Sequence, residues 1–248
     1  MALYQLNISY DGTEYHGYQR QPRVRTIQGE IESALKAIGW RDNSIQSSGR
    51  TDTGVHADEQ IASINLDWSH GEMQLKSAIN THLPRDIVVK SVHKILDKKF
   101  HPRYDAKSRI YRYQIYVSDT RRPKLDRYNW RVWPEVNLAK LHSVSKIIIG
   151  KHDFINFGRP YKPGGRTERL VIDTEWNNYE FDTDRYDFRI TANSFLYHMV
   201  RRVVFILIRV AQGKVMEADV TDGIIKGIDN LPPGIAPAKG LFLEKINY

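Results

Sequence analysis

The sequence predicts an α+β fold of two similar halves, each an antiparallel sheet flanked by helices. Three observations carry that expectation. Segments that alternate polar and apolar residues recur along the 248 residues, stretches with helical spacing lie between them, and the mixed order of strands and helices in the first half returns in the second. The expected boundary separates residues 1–105 from 106–248, an internal pseudo-repeat with no residue-level match.

The segment "ALYQLNISY" at 2–10 puts Tyr4, Leu6, Ile8 and Tyr10 on one face, a strand with one buried side. A basic, aromatic loop, "DGTEYHGYQRQPRVR", follows. Thr26 is set to cap a helix reaching about residue 37, because Ile27, Ile31, Ala34, Leu35 and Ile38 share helical spacing and Gly39 lies just beyond. A short strand near Ile45, a polar segment and a strand at 60–66 come next. A helix is then expected from a capping box of Ser69 and Glu72, and "DIVVKSVHKI" closes the half as a strand.

The second half opens with "RIYRYQIYV", whose Tyr111, Tyr113, Ile115 and Val117 share one strand face. Asn137 caps a helix carrying Leu138, Leu141, Val144 and Ile148, with Gly150 past its end. Strands are expected at 170–176 and 186–191. The run "VVFILI" would suit a strand by itself, but the length of 195–212 and Gly213 at its end favour a helix. "GLFLEKI" supplies the last strand.

Composition narrows the function classes. A hydrophobic share of 41% is enough for a buried core, so the chain is globular. Lys plus Arg number 37 against 29 for Asp plus Glu, a formal charge of +8 and a pI near 9.5. A polyanionic partner is expected, nucleic acid ahead of an anionic membrane or an acidic protein. No apolar run reaches the ~20 residues that cross a bilayer. The lack of cysteine excludes disulfides, thiolate catalysis and Cys-based zinc sites. "MALYQLNISYDG" has no apolar signal core, so the cytoplasm is the expected location. The nine histidines show no metal-ligand spacing and no glycine-rich phosphate motif is present, so neither metal nor cofactor is expected; His56 and His198 read as structural hydrogen-bonding groups.

The densest polar run, "SSGRTDTGVHADEQ" at 47–60, lies between two apolar stretches. Gly49 and Gly54 allow a tightly shaped loop there. Asp52 can simply cap or turn that loop. Arg50 stands two residues earlier, where its guanidinium can orient the carboxylate and keep it ionised, which would make Asp52 a nucleophile or base. "DTG" also marks aspartic proteases, which pair two such loops around a water. This chain holds one copy, preceded by Arg50 and Thr51 in place of apolar residues. Arg20, Arg23 and Arg25 in the first loop, and Lys98, Lys99, Arg103, Lys107 and Arg109 around Phe100, His101 and Tyr104, together form an expected RNA-binding face. Arg201 and Arg202 lie on an otherwise apolar helix, either as paired buried charges or as groups reaching a cleft.

"GRTDTGVHA" resembles the signature of the TruA family of tRNA pseudouridine synthases. "YDGTEYHGYQRQ", "FHPRYDAKSRIYRY", "NSFLYHMVRR" and "PPGIAPAKGLFL" are similar to further stretches of that family in the same order, over nearly the whole chain. The resemblance implies a pseudouridine synthase-like fold with a central basic cleft. It implies an isomerase that needs no cofactor and converts uridine to pseudouridine at positions 38, 39 and 40 of the tRNA anticodon stem-loop. In the family's pattern Asp52 is the nucleophile, attacking either uracil C6 or ribose C1′. Arg50 pairs with it and fills the space of the extruded base, and Tyr111 stacks on the flipped uracil. Tyr111 by itself also fits a sheet-face core residue. Arg201, in "HMVR", falls near the site, and Arg20, Lys98, Lys99 and Arg109 complete the expected substrate contacts. A homodimer sharing one tRNA between its subunits is implied in the same way. The alternative is an RNA-binding protein without catalysis. Tyr18, where the family often has tryptophan, and Lys239, often histidine or glutamine, depart from the pattern, and the chain reads as short for the family.

Overall fold

The computed structural model describes residues 1–248. In chain order it forms β1 (Ala2–Tyr10), α1 (Ile27–Ala37), β2 (Gln46–Ser47), β3 (His56–Leu66), α2 (Glu72–His82), β4 (Ile87–Ile95), β5 (Ser108–Val117), α3 (Pro123–Asp126), β6 (Trp130–Val132), α4 (Leu138–Ile147), β7 (Gly150–Asp153), β8 (Glu168–Tyr179), β9 (Asp182–Ala192), α5 (Met199–Ala211), α6 (Glu217–Thr221) and β10 (Leu241–Asn247). Two compact units result, one of Met1–Lys107 with Phe242–Tyr248, the other of Ser108–Leu241. The last strand returns to the first unit. Its parallel pairing with β3, Phe242 against His56 and Leu243 against Ala57, joins residues far apart in sequence, which local periodicity cannot register.

In the first unit the sheet runs β4-β1-β3-β10, with β2 beside β3. β1 lies antiparallel to both neighbours, Leu6 facing Ala62 on one side and Val92 on the other. The alternation in β1 buries Tyr4, Leu6, Ile8 and Tyr10, and the helices bury Ile27, Ile31 and Leu35 from α1 and Leu75 and Ile79 from α2. Each fully buried aliphatic side chain contributes about 1.5–3 kcal/mol. Thr26 caps α1 as expected, its Oγ1 accepting from Gly29 N–H at 3.3 Å. The expected capping box of α2 is not formed: the helix begins at Glu72 with Gly71 as its cap. Glu72 is thus in the first helical position, too early to reach back, and its carboxylate accepts from Lys94 N–H at 2.7 Å.

In the second unit β5, β9, β8 and β7 lie in that order, each antiparallel to the next, and β6 runs parallel to the end of β5. The α+β class holds, with two short parallel pairings at β6 and β10 among antiparallel ones. β5 is buried on both faces in its middle, since Tyr113, Gln114, Ile115 and Tyr116 are all inside. α4 packs on α5 and on β8. Asn137 Oδ1 caps α4 by accepting from Lys140 N–H at 3.0 Å. The run "VVFILI" is helical and buried, as its length and terminal glycine predict. The helix starts at Met199 because His198 turns the chain with φ 65°. β6, β7, α3 and α6 are too short to show a period. No helix is long and apolar enough to cross a membrane.

One buried charge braces the first unit. The Glu32 carboxylate accepts from Arg20 Nη1 at 2.6 Å, Gln28 Nε2 at 2.7 Å and Ile45 N–H at 3.2 Å. Its side chain is 2% exposed, whereas that of Arg20 is 47% exposed. Glu32→Ala strands the buried Ile45 N–H and leaves the Gln28 amide with only its bond to the Ser44 hydroxyl, and it is expected to lower unfolding stability by about 3 kcal/mol, read by urea denaturation at an unchanged m value.

Candidate active site

The polar run folds into a loop between β2 and β3 that is held from beneath by buried groups. Ser48 N–H donates to Ile61 C=O at 2.9 Å, and the buried Gln60 carboxamide accepts from the Ser48 hydroxyl while donating to Gly49 C=O at 3.0 Å. Tyr10 Oη and Thr51 Oγ1 share a buried hydrogen bond of 2.8 Å. Tyr10 reaches it from β1 because a bulge shifts the register between Ile8 and Tyr10 while keeping both inside. Burial raises the Tyr10 pKa well above the usual phenol range, with Thr51 and Gln60 opposing through hydrogen bonds, so the hydroxyl stays protonated.

The loop segment 11–18 clasps the other side. Tyr18 N–H donates to Thr51 C=O at 3.0 Å, and Gly54 N–H donates to Tyr15 C=O at 3.3 Å. A Cβ on Gly12 would stand 2.0 Å from Val55 O, so only glycine permits this approach. Gly54 has φ 76°, the left-handed conformation expected of it, whereas Gly49 keeps an ordinary φ and has open space around it. Thr51 is therefore buried, with exposed Arg50 on one side and half-buried Asp52 on the other.

The expected guanidinium–carboxylate pair is absent. Arg50 points to solvent and makes no ion pair with Asp52. An exposed pair of that kind is worth about 0–1 kcal/mol, too little to hold a long side chain in place, so backbone and Thr51 anchoring position the loop instead. Arg20, expected at the substrate, is drawn to Glu32 and to Asn43 C=O. Lys98 and Lys99 are exposed on the turn after β4, where Asp97 accepts from Lys99 N–H at 2.8 Å. His56 is buried, accepts from Gly12 N–H at 3.1 Å and stacks on Phe242 at 4.6 Å. Tyr18 is buried 6.2 Å from the ring of Tyr10.

In the second unit Arg109 and Tyr111 lie two residues apart on β5 and so share a face. Both meet the segment after β9: Arg109 Nη1 donates to Asn193 C=O at 2.7 Å, and the half-buried Tyr111 ring stands edge-on to Phe195 at 5.0 Å. The core role belongs to Tyr113 on the same face, which is fully buried and donates to Pro237 C=O at 2.7 Å. Burial pushes the Tyr113 hydroxyl pKa up, and the nearby Arg201 charge opposes this. Arg201 Nε donates to Ala236 C=O at 2.8 Å. Arg202 is a backbone clamp, donating to the carbonyls of Asn156, Pro232 and Gly234. Lys239 meets Asp126 at 2.9 Å. Sequence reasoning missed Gln60, Phe195 and Asn193, whose partners lie far along the chain. A pocket of about 640 Å³ in this unit, lined by Arg122, Trp133, Glu135, Asp184 and Tyr186 among others, contains none of the expected site residues.

The model of the family described as tRNA pseudouridine synthase matches residues 7–105 and 144–248, spans that include the Asp52 loop and α5. A tRNA pseudouridine synthase A of Fervidobacterium nodosum is 38% identical over 248 residues, 98% of each chain. One of Ruminiclostridium cellulolyticum is 36% identical over 249 residues, 100% of each, and one of Aquifex aeolicus 35% identical over 246 residues, 99% of each. These three relatives have the same length as the chain to within a few residues. An aspartate loop braced from below, matched from end to end by such relatives, identifies the chain as a member of the tRNA pseudouridine synthase family, isomerases acting on tRNA uridine.

Proposed function

We propose that the chain isomerises uridine to pseudouridine at positions 38, 39 and 40 of the tRNA anticodon stem-loop, in the cytoplasm and as a homodimer whose subunits share one tRNA. The observation that supports Asp52 as the nucleophile is the bracing of its loop: Gly49, Thr51 and Gly54 on either side are each held by a hydrogen bond to the scaffold. A carboxylate on such a support approaches the reacting carbon without first being ordered. Asp52 attacks uracil C6 or ribose C1′, the N1–C1′ bond breaks, and the freed base turns. A bond then forms between C5 and C1′, the bond to Asp52 breaks and returns the carboxylate, the proton on C5 leaves and N1 gains one, so the product is an isomer.

A stem uridine must leave its stack before attack, at a cost of a few kcal/mol. Tyr111 offsets part of it by stacking on the uracil, and Arg50, which carries no partner of its own, fills the vacated space. Arg201 and Arg109 contribute charge beside the flipped nucleotide. Lys98 and Lys99 draw in phosphates. Arg20 acts on the substrate only through the loop that it ties to Glu32.

Unmodified tRNA bearing uridine at the three positions, incubated with the protein and mapped by chemical labelling, is expected to gain pseudouridine there; a wild-type preparation giving no product sinks the reading. Asp52→Asn should abolish product while binding tRNA as before. Arg50→Ala is expected to lose far more turnover than affinity, whereas Lys98→Ala with Lys99→Ala should lose affinity and flatten the log–log salt slope by about 1–2. In Tyr10→Phe the Thr51 hydroxyl loses its buried partner, and kcat should fall about tenfold with little change in KM.

A further inference from the structure

Residues 158–169 join the helical turn Ile155–Phe157 to β8 in the second unit. They carry Arg159, Lys162, Arg166 and Arg169 against one acid, Glu168, which is already engaged by Lys151 at 3.3 Å. At the tip Lys162, Pro163, Gly164 and Gly165 form a tight turn. Gly165 N–H donates to Lys162 C=O at 3.0 Å, and Gly164 has φ 72°, the pattern of a type II turn with proline second and glycine third. The turn draws Lys162 and Arg166 toward each other across the tip. Arg159, Lys162 and Arg166 are exposed and form no ion pair.

The loop is nonetheless tied down. Arg159 exchanges two backbone hydrogen bonds with Tyr197, at 3.1 and 2.9 Å, and Arg169 Nη1 holds the carbonyls of Arg166 and Glu168 at 2.9 and 2.6 Å. Beside it stands a small aromatic stack. Tyr197 lies on His198 with ring centres 3.7 Å apart and planes 25° from parallel, and Tyr161 stands edge-on to Tyr197 at 6.2 Å. Tyr161 is 47% exposed and Tyr197 40%. The arrangement depends on His198 in the left-handed region, at φ 65°, a conformation that disfavours any residue with a side chain. Single exposed aromatics are ordinary, but two rings fixed together beside three unpaired cations have the make-up of a single-stranded nucleic acid contact.

We propose that Tyr161, backed by Tyr197, is a stacking platform for an unpaired RNA base, and that Lys162 and Arg166 hold the phosphates flanking it. This deepens the reading of tRNA as substrate and rests on it. A base has a π-face whatever its identity, so the platform adds affinity without sequence choice, while the cations add a salt-dependent share.

Titration of the full chain with unmodified full-length tRNA at several salt concentrations tests it. Tyr161→Ala is expected to weaken binding about 5- to 150-fold with the salt slope unchanged, and Tyr161→Phe, which keeps the ring, to restore it. Lys162→Ala with Arg166→Ala should make the log–log salt slope shallower by about 1.5. Wild-type affinity in Tyr161→Ala, failure of Tyr161→Phe to restore binding, or an unchanged slope in the double variant overturns the platform. Pseudouridine formation is scored on the same preparations. Wild-type protein that makes no product refutes the proposed activity and leaves the titration to decide the platform, whereas normal product with wild-type binding by Tyr161→Ala refutes the platform alone.

Discussion

The hydrogen bond between the hydroxyls of Tyr10 and Thr51 is the interaction around which the first unit's chemistry is arranged. Its net value is modest, about 1 kcal/mol, but both groups are out of water, so leaving either unpaired costs more than making the bond gains. That asymmetry fixes the side of the chain on which Thr51 lies. Once Thr51 is committed to the interior, Arg50 and Asp52 cannot join it there. Gln60 adds a second constraint, because one carboxamide engages both the Ser48 hydroxyl and the Gly49 carbonyl. The acid is thus positioned by what lies under its neighbours, and Arg50 is left uncommitted.

The two adjacent arginines of α5 illustrate a related economy. Arg201 and Arg202 sit on a largely apolar helix, yet the hydrogen bonds described for them go to backbone carbonyls, three of them in the segment before β10 and one at Asn156. A guanidinium can satisfy several carbonyls at once, which a buried ammonium does less well. Pro232, Gly234 and Ala236 are thereby fixed to the start of α5, and Tyr113 holds Pro237 from β5. An irregular stretch rich in proline and glycine acquires a defined path without secondary structure of its own.

Much of the fold was legible because its elements are locally consistent. The alternation of Tyr4, Leu6, Ile8 and Tyr10, the Thr26 and Asn137 caps and the length of the α5 run each point to the element that forms. The motif around Asp52 identified the family for the same reason: its residues are contiguous. What was not legible depends on groups distant in sequence. The return of β10 to β3, the capture of Arg20 by Glu32 and the pairing of Gln60 with Gly49 leave no periodic trace. The Arg50–Asp52 pair shows the opposite limit, since nearness in sequence does not make contact where the solvent offers Arg50 as good an environment. Glu72 shows how one helical position matters, because a shift in where α2 begins turns a cap residue into a tether for β4.

The parallel pairing of β10 with β3 carries a consequence for biogenesis. His56 receives the ring of Phe242 only four residues from Asp52, so the sheet beneath that loop is finished by a strand that follows the whole second unit in sequence. Until then β3 presents an open edge, and its neighbouring loop lacks one wall. Synthesis order therefore begins the first unit before the second and completes it afterwards, which keeps the Asp52 loop unfinished until the second unit has been made.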